Sequence, residues 1–241
     1  MTAVDGANLS SSNATLTVAS GGLLSVTGAS AIYTQSAGTT YVDGTLTVGT
    51  TTAGSANISG GNIFGNKGTW AANVNNSGGT FNIGDIVQTA GSESISGTYT
   101  QSSSGALDID VGGTTPGTQF DQLTISGAAM LNGTLNLDLI NGFIPTIGSM
   151  FDILNASTLD NTMFATVNGT SINSNEHFIV VYNSNNVTLD VVAGMGPQGL
   201  GGGEPGGNSP TPEPATLLLL ATGLLGIGAI SRRRSKRLLG L

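Results

Sequence analysis

The chain has 241 residues, enough for one or two domains, yet only 8% of them are charged and 5% aromatic, against 38 glycines. This departs from the composition of ordinary globular enzymes and leaves few large side chains for a compact core. Five of the six basic residues, Arg232, Arg233, Arg234, Lys236 and Arg237, lie in the last ten positions, so residues 1–211 carry thirteen acidic groups against Lys67 alone, a net of −12. Such a body repels nucleic-acid phosphates and anionic membranes, which excludes nucleic acid as its partner. The absence of cysteine excludes disulfides and thiolate metal sites.

The opening residues, MTAVDGANLSSSNATLTVAS, contain neither a basic segment nor the apolar run of a secretory leader. From residue 14 onward, short units alternate small polar residues with Val, Ile and Leu: ATLTVAS (14–20), GGLLSVTGAS (21–30), GTLTVGT (44–50), GTFNIGD (79–85), GALDIDVGG (105–113) and GTLNLDLING (133–142). Alternation at period two between Gly and Asn turns predicts strands. The segment IYTQSAG (32–38) returns as TYTQSSSG (98–105), with Tyr33 and Tyr99 66 residues apart. That interval is three turns of about 22 residues, a length suited to coils of a parallel β-helix stacked about 4.8 Å apart. Residues 1–193 therefore read as an all-β solenoid of about nine coils, roughly 40 Å long. The rival is an immunoglobulin-like sandwich, whose core calls for larger side chains than these units supply.

Between Gly97 and Gly169 the chain resembles the C-terminal coils of autotransporter passenger domains. The residues that carry the likeness are Tyr99-x-Gln101, Leu107-x-Ile109, Asp121-Gln122-Leu123, Gly133-x-Leu135-x-Leu137, Gly148-x-x-Phe151 and Phe164. The resemblance implies a right-handed parallel β-helix whose last coils form a stable cap. The membrane β-barrel that normally follows such a passenger is replaced here by a different tail.

Few residues in the body offer chemistry. Lyase action on uronates needs cations, and Lys67 is the only one there. Asp108 and Asp110 lie two apart on one predicted strand and share its outer face, since Leu107, Ile109 and Val111 face inward. Paired carboxylates are what a glycoside hydrolase uses, which makes a β-helical glycan hydrolase the alternative function. With Asp121 the pair also offers the oxygen ligands that Ca²⁺ takes, but without an EF-hand or nonapeptide repeat. The sole histidine, His177, cannot form a conventional zinc site and no G-x-S-x-G accompanies it, so it reads as a strand-edge polar residue. Trp70, Tyr33, Tyr41 and Tyr99 offer rings for sugar stacking, though single aromatics in sheets usually pack. No catalytic residue, metal site or cofactor is assigned.

Residues 194–211, GMGPQGLGGGEPGGNSPT, have nothing to bury and read as a disordered linker spanning about 23 Å. The rigid turn Pro212-Glu213-Pro214 follows, then an uncharged apolar run from Ala215 to Ile230. As a helix this run is roughly 24 Å long, slightly short of a bilayer core, and Ser231 with snorkelling arginines extends it to a transmembrane helix over 215–231. The basic cluster Arg232, Arg233, Arg234, Lys236 and Arg237 stays cytoplasmic, with the body on the far side.

Pro-Glu-Pro, a short apolar span and a terminal arginine cluster, in that order over 212–237, resemble the PEP-CTERM protein-sorting domain of Gram-negative bacteria. The resemblance implies recognition by a membrane-embedded exosortase, cleavage near Pro212-Glu213-Pro214, and release to the cell surface or an exopolysaccharide matrix. An exported body also requires a secretory signal, which points to a leader upstream of Met1. The expected function is that of an exported structural or adhesive protein of the surface or biofilm matrix, with exosortase, membrane and exopolysaccharide as partners.

Overall fold

The computed structural model describes residues 2–3, 8–28, 30–50, 54–85 and 88–194. All regular structure among them is β-strand, and it recurs in groups of three. The first coil holds β1 (Thr2–Ala3), β2 (Asn8–Ser11) and β3 (Ala14–Val18), and the second β4 (Leu23–Val26), β5 (Ile32–Gln35) and β6 (Gly38–Val42). The third holds β7 (Thr45–Val48), β8 (Ser55–Ile58) and β9 (Asn62–Gly65), and the fourth β10 (Gly68–Ala71), β11 (Asn73–Asn76) and β12 (Thr80–Ile83). The fifth holds β13 (Ser92–Ile95), β14 (Tyr99–Gln101) and β15 (Ala106–Val111), and the sixth β16 (Gln122–Ile125), β17 (Ala129–Met130) and β18 (Thr134–Leu139). In the seventh, β19 (Met150–Asn155) and β20 (Thr166–Asn168) remain, and an isolated bridge from Ala128 to Thr158 stands where the middle strand would be. A closing pair follows, β21 (Glu176–Tyr182) and β22 (Asn186–Ala193).

From β1 to β16 each strand pairs in parallel with the strand three places on, and β18 pairs in parallel with β20. Three sheets result, A (β1, β4, β7 and onward), B (β2, β5, β8 and onward) and C (β3, β6, β9 and onward). This is β-helix-like wiring, and it rules out the antiparallel sandwich. All six alternating units read from the sequence are strands here. On sheet B the register runs Leu9, Tyr33, Ala56, Val74, Tyr99, Ala129, giving coils of 24, 23, 18, 25 and 30 residues. Tyr33 and Tyr99 are thus three coils apart, as their spacing predicts. The stack holds seven coils rather than nine, because later coils lengthen through the connections before β16 and β19. The last residues also leave the parallel pattern: β22 lies antiparallel on β19, and β21 antiparallel on β22.

Period-two alternation in register turns each inward position into a column. Leu46, Trp70 and Ile95 stack on sheet A, and Ile63, Phe81, Leu107 and Leu135 on sheet C, all at most 1% exposed. On sheet B the small Ala56 and Val74 sit between Tyr33 and Tyr99, leaving room for rings from the other sheets. The few aromatics are therefore concentrated inside: Tyr33 meets Trp70, Trp70 meets Phe81 and Phe81 meets Tyr99 at centroid distances of 6.0, 5.7 and 6.0 Å. A second cluster forms around Phe151, which contacts Phe120, Phe143 and Phe178 and knits β21 and β22 to the stack.

The interior also holds polar side chains, several of them hydrogen-bonded where chain direction changes. Tyr99 donates its buried hydroxyl to Gln101 Oε1 at 2.7 Å, and Gln101 Nε2 donates to the carbonyls of Gly105, Asn132 and Thr134. Tyr33 and Gln35 repeat this, with Gln35 Nε2 on the carbonyls of Gly38, Gly60 and Asn62. Asn76, in the same column, accepts from Gly79 N–H and donates to Ala106 O. The repeated Tyr-x-Gln is thus a clamp that satisfies corner carbonyls out of reach of water. Between sheets C and A, Glu93 is 1% exposed and accepts from Gly68 N–H and the Trp70 indole at 3.0 and 3.1 Å. Gly65 and Gly68 are required beside it, because a Cβ on either would run into the Glu93 carboxylate and the Val42 carbonyl.

Two predictions follow from these buried groups. Gln101→Leu strands the Tyr99 hydroxyl and three carbonyls, and should destabilise the body by about 3 kcal/mol in urea unfolding; a loss below about 1 kcal/mol would contradict the clamp. Burial pushes the Glu93 carboxyl up to about 8, from an ordinary 4.5. Between those values the folded body holds a proton that the unfolded chain has released, so stability is greatest below the ordinary value and falls as pH rises toward 8. The thermal midpoint should drop over that window, and drop less in Glu93→Gln; equal slopes would refute the assignment.

Candidate functional site

The outer face of sheet C carries the densest polar chemistry of the described residues. On β15, Leu107, Ile109 and Val111 point inward at no more than 1% exposure, which turns Asp108 and Asp110 outward as their spacing predicts. Strand register then lines each up with its neighbours. The Asp108 column runs Thr17, Tyr41, Phe64, Asn82, Asp108, Asn136, Asn168 across seven coils. Within it Asn136 Nδ2 donates to Asp108 Oδ1 at 2.6 Å and Asn168 Nδ2 to Asn136 Oδ1 at 2.8 Å, an amide ladder that fixes the carboxylate. Asp110 lies directly opposite Asp138.

Asp121 lies beneath this pair and is fully buried. Its Oδ2 accepts from Asp110 N–H and its Oδ1 from Gly91 N–H, both at 2.7 Å, so the carboxyl closes the sheet C to sheet A corner much as Glu93 does one coil earlier. Asp108, Asp110, Asp121 and Asp138, with Asn82 and Gln88, line a hollow of about 130 Å³. Burial raises Asp121 to about 8. It raises Asp110 to about 6, assisted by the charges of Asp138 and Asp108. Asp108 is raised too, again by burial first, while Asn136 opposes the shift.

The hollow is therefore a carboxyl-rich, hydrogen-bonding recess without a cation among its lining residues. Asp108, Asp110 and Asp121 do not converge into a Ca²⁺ site. Among the described residues no group of three or more His, Asp or Glu could hold a metal ion. Both Asp121 oxygens are taken by backbone amides.

Tyr33, Trp70 and Tyr99 are fully buried and cannot stack on a sugar. Tyr41 is partly exposed but stacks on Phe64 at 5.5 Å and 19°, which spends the ring faces on each other. His177 Nδ1 lies 3.0 Å from the Gly194 carbonyl, a local tie at the start of β21. The inward Glu93 escaped the sequence reading although it shares its alternation phase with Ile95, the one signal that could have found it.

The stacking of like charges yields a direct test. Asp138→Asn removes a charge opposite Asp110 and should move the Asp110 titration from about 6 toward the ordinary carboxylate range in a carboxyl-carbon NMR titration. An unchanged midpoint would mean that the Asp138 charge does not act on Asp110.

Pro212, Glu213, Pro214 and the basic residues Arg232, Arg233, Arg234, Lys236 and Arg237 lie outside the described residues, as do the linker from residue 195 and the apolar span 215–231. Among the described residues no helix is long and apolar enough to cross a membrane. A search of the curated proteins finds no match. Residues 210–234 match the PEP-CTERM protein-sorting motif, so the chain carries that motif, which implies processing by an exosortase and export to the cell surface.

Proposed function

We propose that this chain is an exported structural or adhesive component of the cell surface or extracellular matrix, and that its body does no catalysis. The sorting motif over 210–234 carries the reading. In detail, residues 194–211 act as a flexible linker and 215–231 as a transient transmembrane helix. The arginine cluster stays cytoplasmic, and exosortase cuts near Pro212-Glu213-Pro214. The body is a right-handed β-helix, the hand that parallel crossover connections almost always take.

Two features of the body support a non-catalytic role. Within the body, Gln35, Gln101, Glu93 and Asp121 are engaged in holding corners, Asp121 under the recess that Asp108, Asp110 and Asp138 line. Its outer faces present neutral hydrogen-bonding rows such as Thr34, Asn57, Asn75 and Thr100, in which Asn75 Nδ2 donates to Asn57 Oδ1 at 2.9 Å. Rows of this kind suit a polyhydroxyl polymer such as an exopolysaccharide.

The test is the mass and location of the chain in an exosortase-bearing Gram-negative host, unaltered and with Pro212, Glu213 and Pro214 replaced by alanine. The unaltered form should be found outside the cell, shortened near residue 212, and the variant should remain full-length in the membrane. Two full-length membrane forms would reduce 215–231 to a plain anchor and overturn the proposal.

A further inference from the structure

The chain contains three Asn-Gly steps, Asn132-Gly133, Asn141-Gly142 and Asn168-Gly169. A glycine after asparagine leaves the peptide nitrogen unshielded, so attack on the side-chain carboxamide is limited mainly by how the folded backbone aims the two groups. The three steps differ sharply in this respect.

Gly133 N–H points at its own neighbour's side chain, 2.8 Å from Asn132 Oδ1. The ladder bonds of β18 begin one residue later, with Thr134 N–H donating to Gly105 O. Asn132 is exposed, so water reaches its carboxamide, while Gly133 beside it is buried at φ +64°, where a Cβ would strike the Gly105 and Ser102 carbonyls. At Asn168 the carboxamide is instead held outward by its Nδ2 bond to Asn136 Oδ1. At Asn141 the step forms the centre of a tight turn, with φ of 56° and 66° at Asn141 and Gly142 and the Phe143 N–H bonded to Ile140 O at 3.0 Å.

We propose that Asn132-Gly133 is a site of spontaneous deamidation, converting to aspartate and isoaspartate well ahead of the other two Asn-Gly steps because the folded corner already aims the Gly133 amide at the Asn132 carboxamide. Hydroxide removes the Gly133 amide proton, and the lone pair is left in the direction the N–H had occupied, toward the side chain. The nitrogen attacks Asn132 Cγ, the Cγ–Nδ2 bond breaks, and Nδ2 departs as ammonia with a proton from water. The resulting succinimide adds water at either carbonyl, opening to aspartate or isoaspartate.

The position gives the reaction a structural consequence. The Asn132 main-chain carbonyl accepts from Gln101 Nε2 at 2.8 Å, so it belongs to the Tyr99-Gln101 clamp. An isoaspartyl linkage routes the backbone through Cγ and displaces that carbonyl, loosening the corner between the middle and third strands of coil six. Deamidation also adds one negative charge to an already acidic body.

The experiment incubates the full chain in detergent at mildly alkaline pH and maps conversion at the three steps by peptide mass spectrometry over time, folded and in concentrated urea. In the folded chain Asn132 should convert about ten-fold faster than Asn141 and Asn168, the gain expected from a pre-aimed nucleophile. In urea the three rates should converge. Equal folded rates, a leading Asn141 or Asn168, no conversion at all, or the same ordering in urea would each overturn the proposal.

Discussion

Parallel, in-register pairing between successive coils is the constraint on which the rest of this body depends. Because strands of successive coils bond in register, a residue's inward or outward sense is inherited by the column above and below it. One slip would expose Leu46, Trp70 and Ile95 together and bury a row of threonines and serines. Column formation also explains how so few aromatics suffice. Small residues such as Ala56 and Val74 stand in the Tyr33 and Tyr99 column, so rings from three sheets interdigitate along one interior line.

Stacking solves the backbone hydrogen bonds of the flat faces and leaves those of the corners unsolved. There the chain turns inside a space that water does not enter, and each free carbonyl or amide would cost on the order of 1–3 kcal/mol. Gln35, Asn76 and Gln101 answer this between sheets B and C, and the carboxyls of Glu93 and Asp121 between C and A. Carboxyls in such places are poorly solvated and hold their protons, so the body's stability is tied to pH. The Asp108 recess is a by-product of the same architecture. Register brings Asp110 against Asp138 because both lie on outward positions of adjacent coils, and Asp121 lies below because a corner needs it.

At the C-terminal end the parallel rule is abandoned. β22 runs antiparallel on β19 and β21 on β22, with Phe151 joining Phe120, Phe143 and Phe178 around the closure. The closing strands, β21 and β22, follow the Gly97–Gly169 stretch that resembles autotransporter coils, and they end the body just before the Gly/Pro-rich segment that leads to the sorting motif. A stack of coils with polar outer faces, followed in sequence by a processing signal, is what the functional proposal rests on.

The all-β parallel class, the three-coil interval between Tyr33 and Tyr99 and the sorting tail are legible in the sequence, because each is written in local pattern. Period-two alternation marks strands such as 106–111 and 134–139, the Tyr-x-Gln repeat carries the three-coil interval, and Pro-Glu-Pro with its apolar span and arginines needs no partner to be read. Short strands with Asn, Gly or Gln at inward positions, Asn73–Asn76 among them, were illegible, since their burial depends on what the next coil places beside them. That Tyr33, Trp70 and Tyr99 are interior, that Glu93 and Asp121 are corner acceptors for backbone amides, and that coils lengthen until seven fill the body emerges from the folded stack alone. The physical reason is that inter-coil contacts join residues 18 to 30 positions apart. Column neighbours, corner acceptors and charge pairs such as Asp110 with Asp138 exist only once register is set, and register is a property of the stack and not of any one strand.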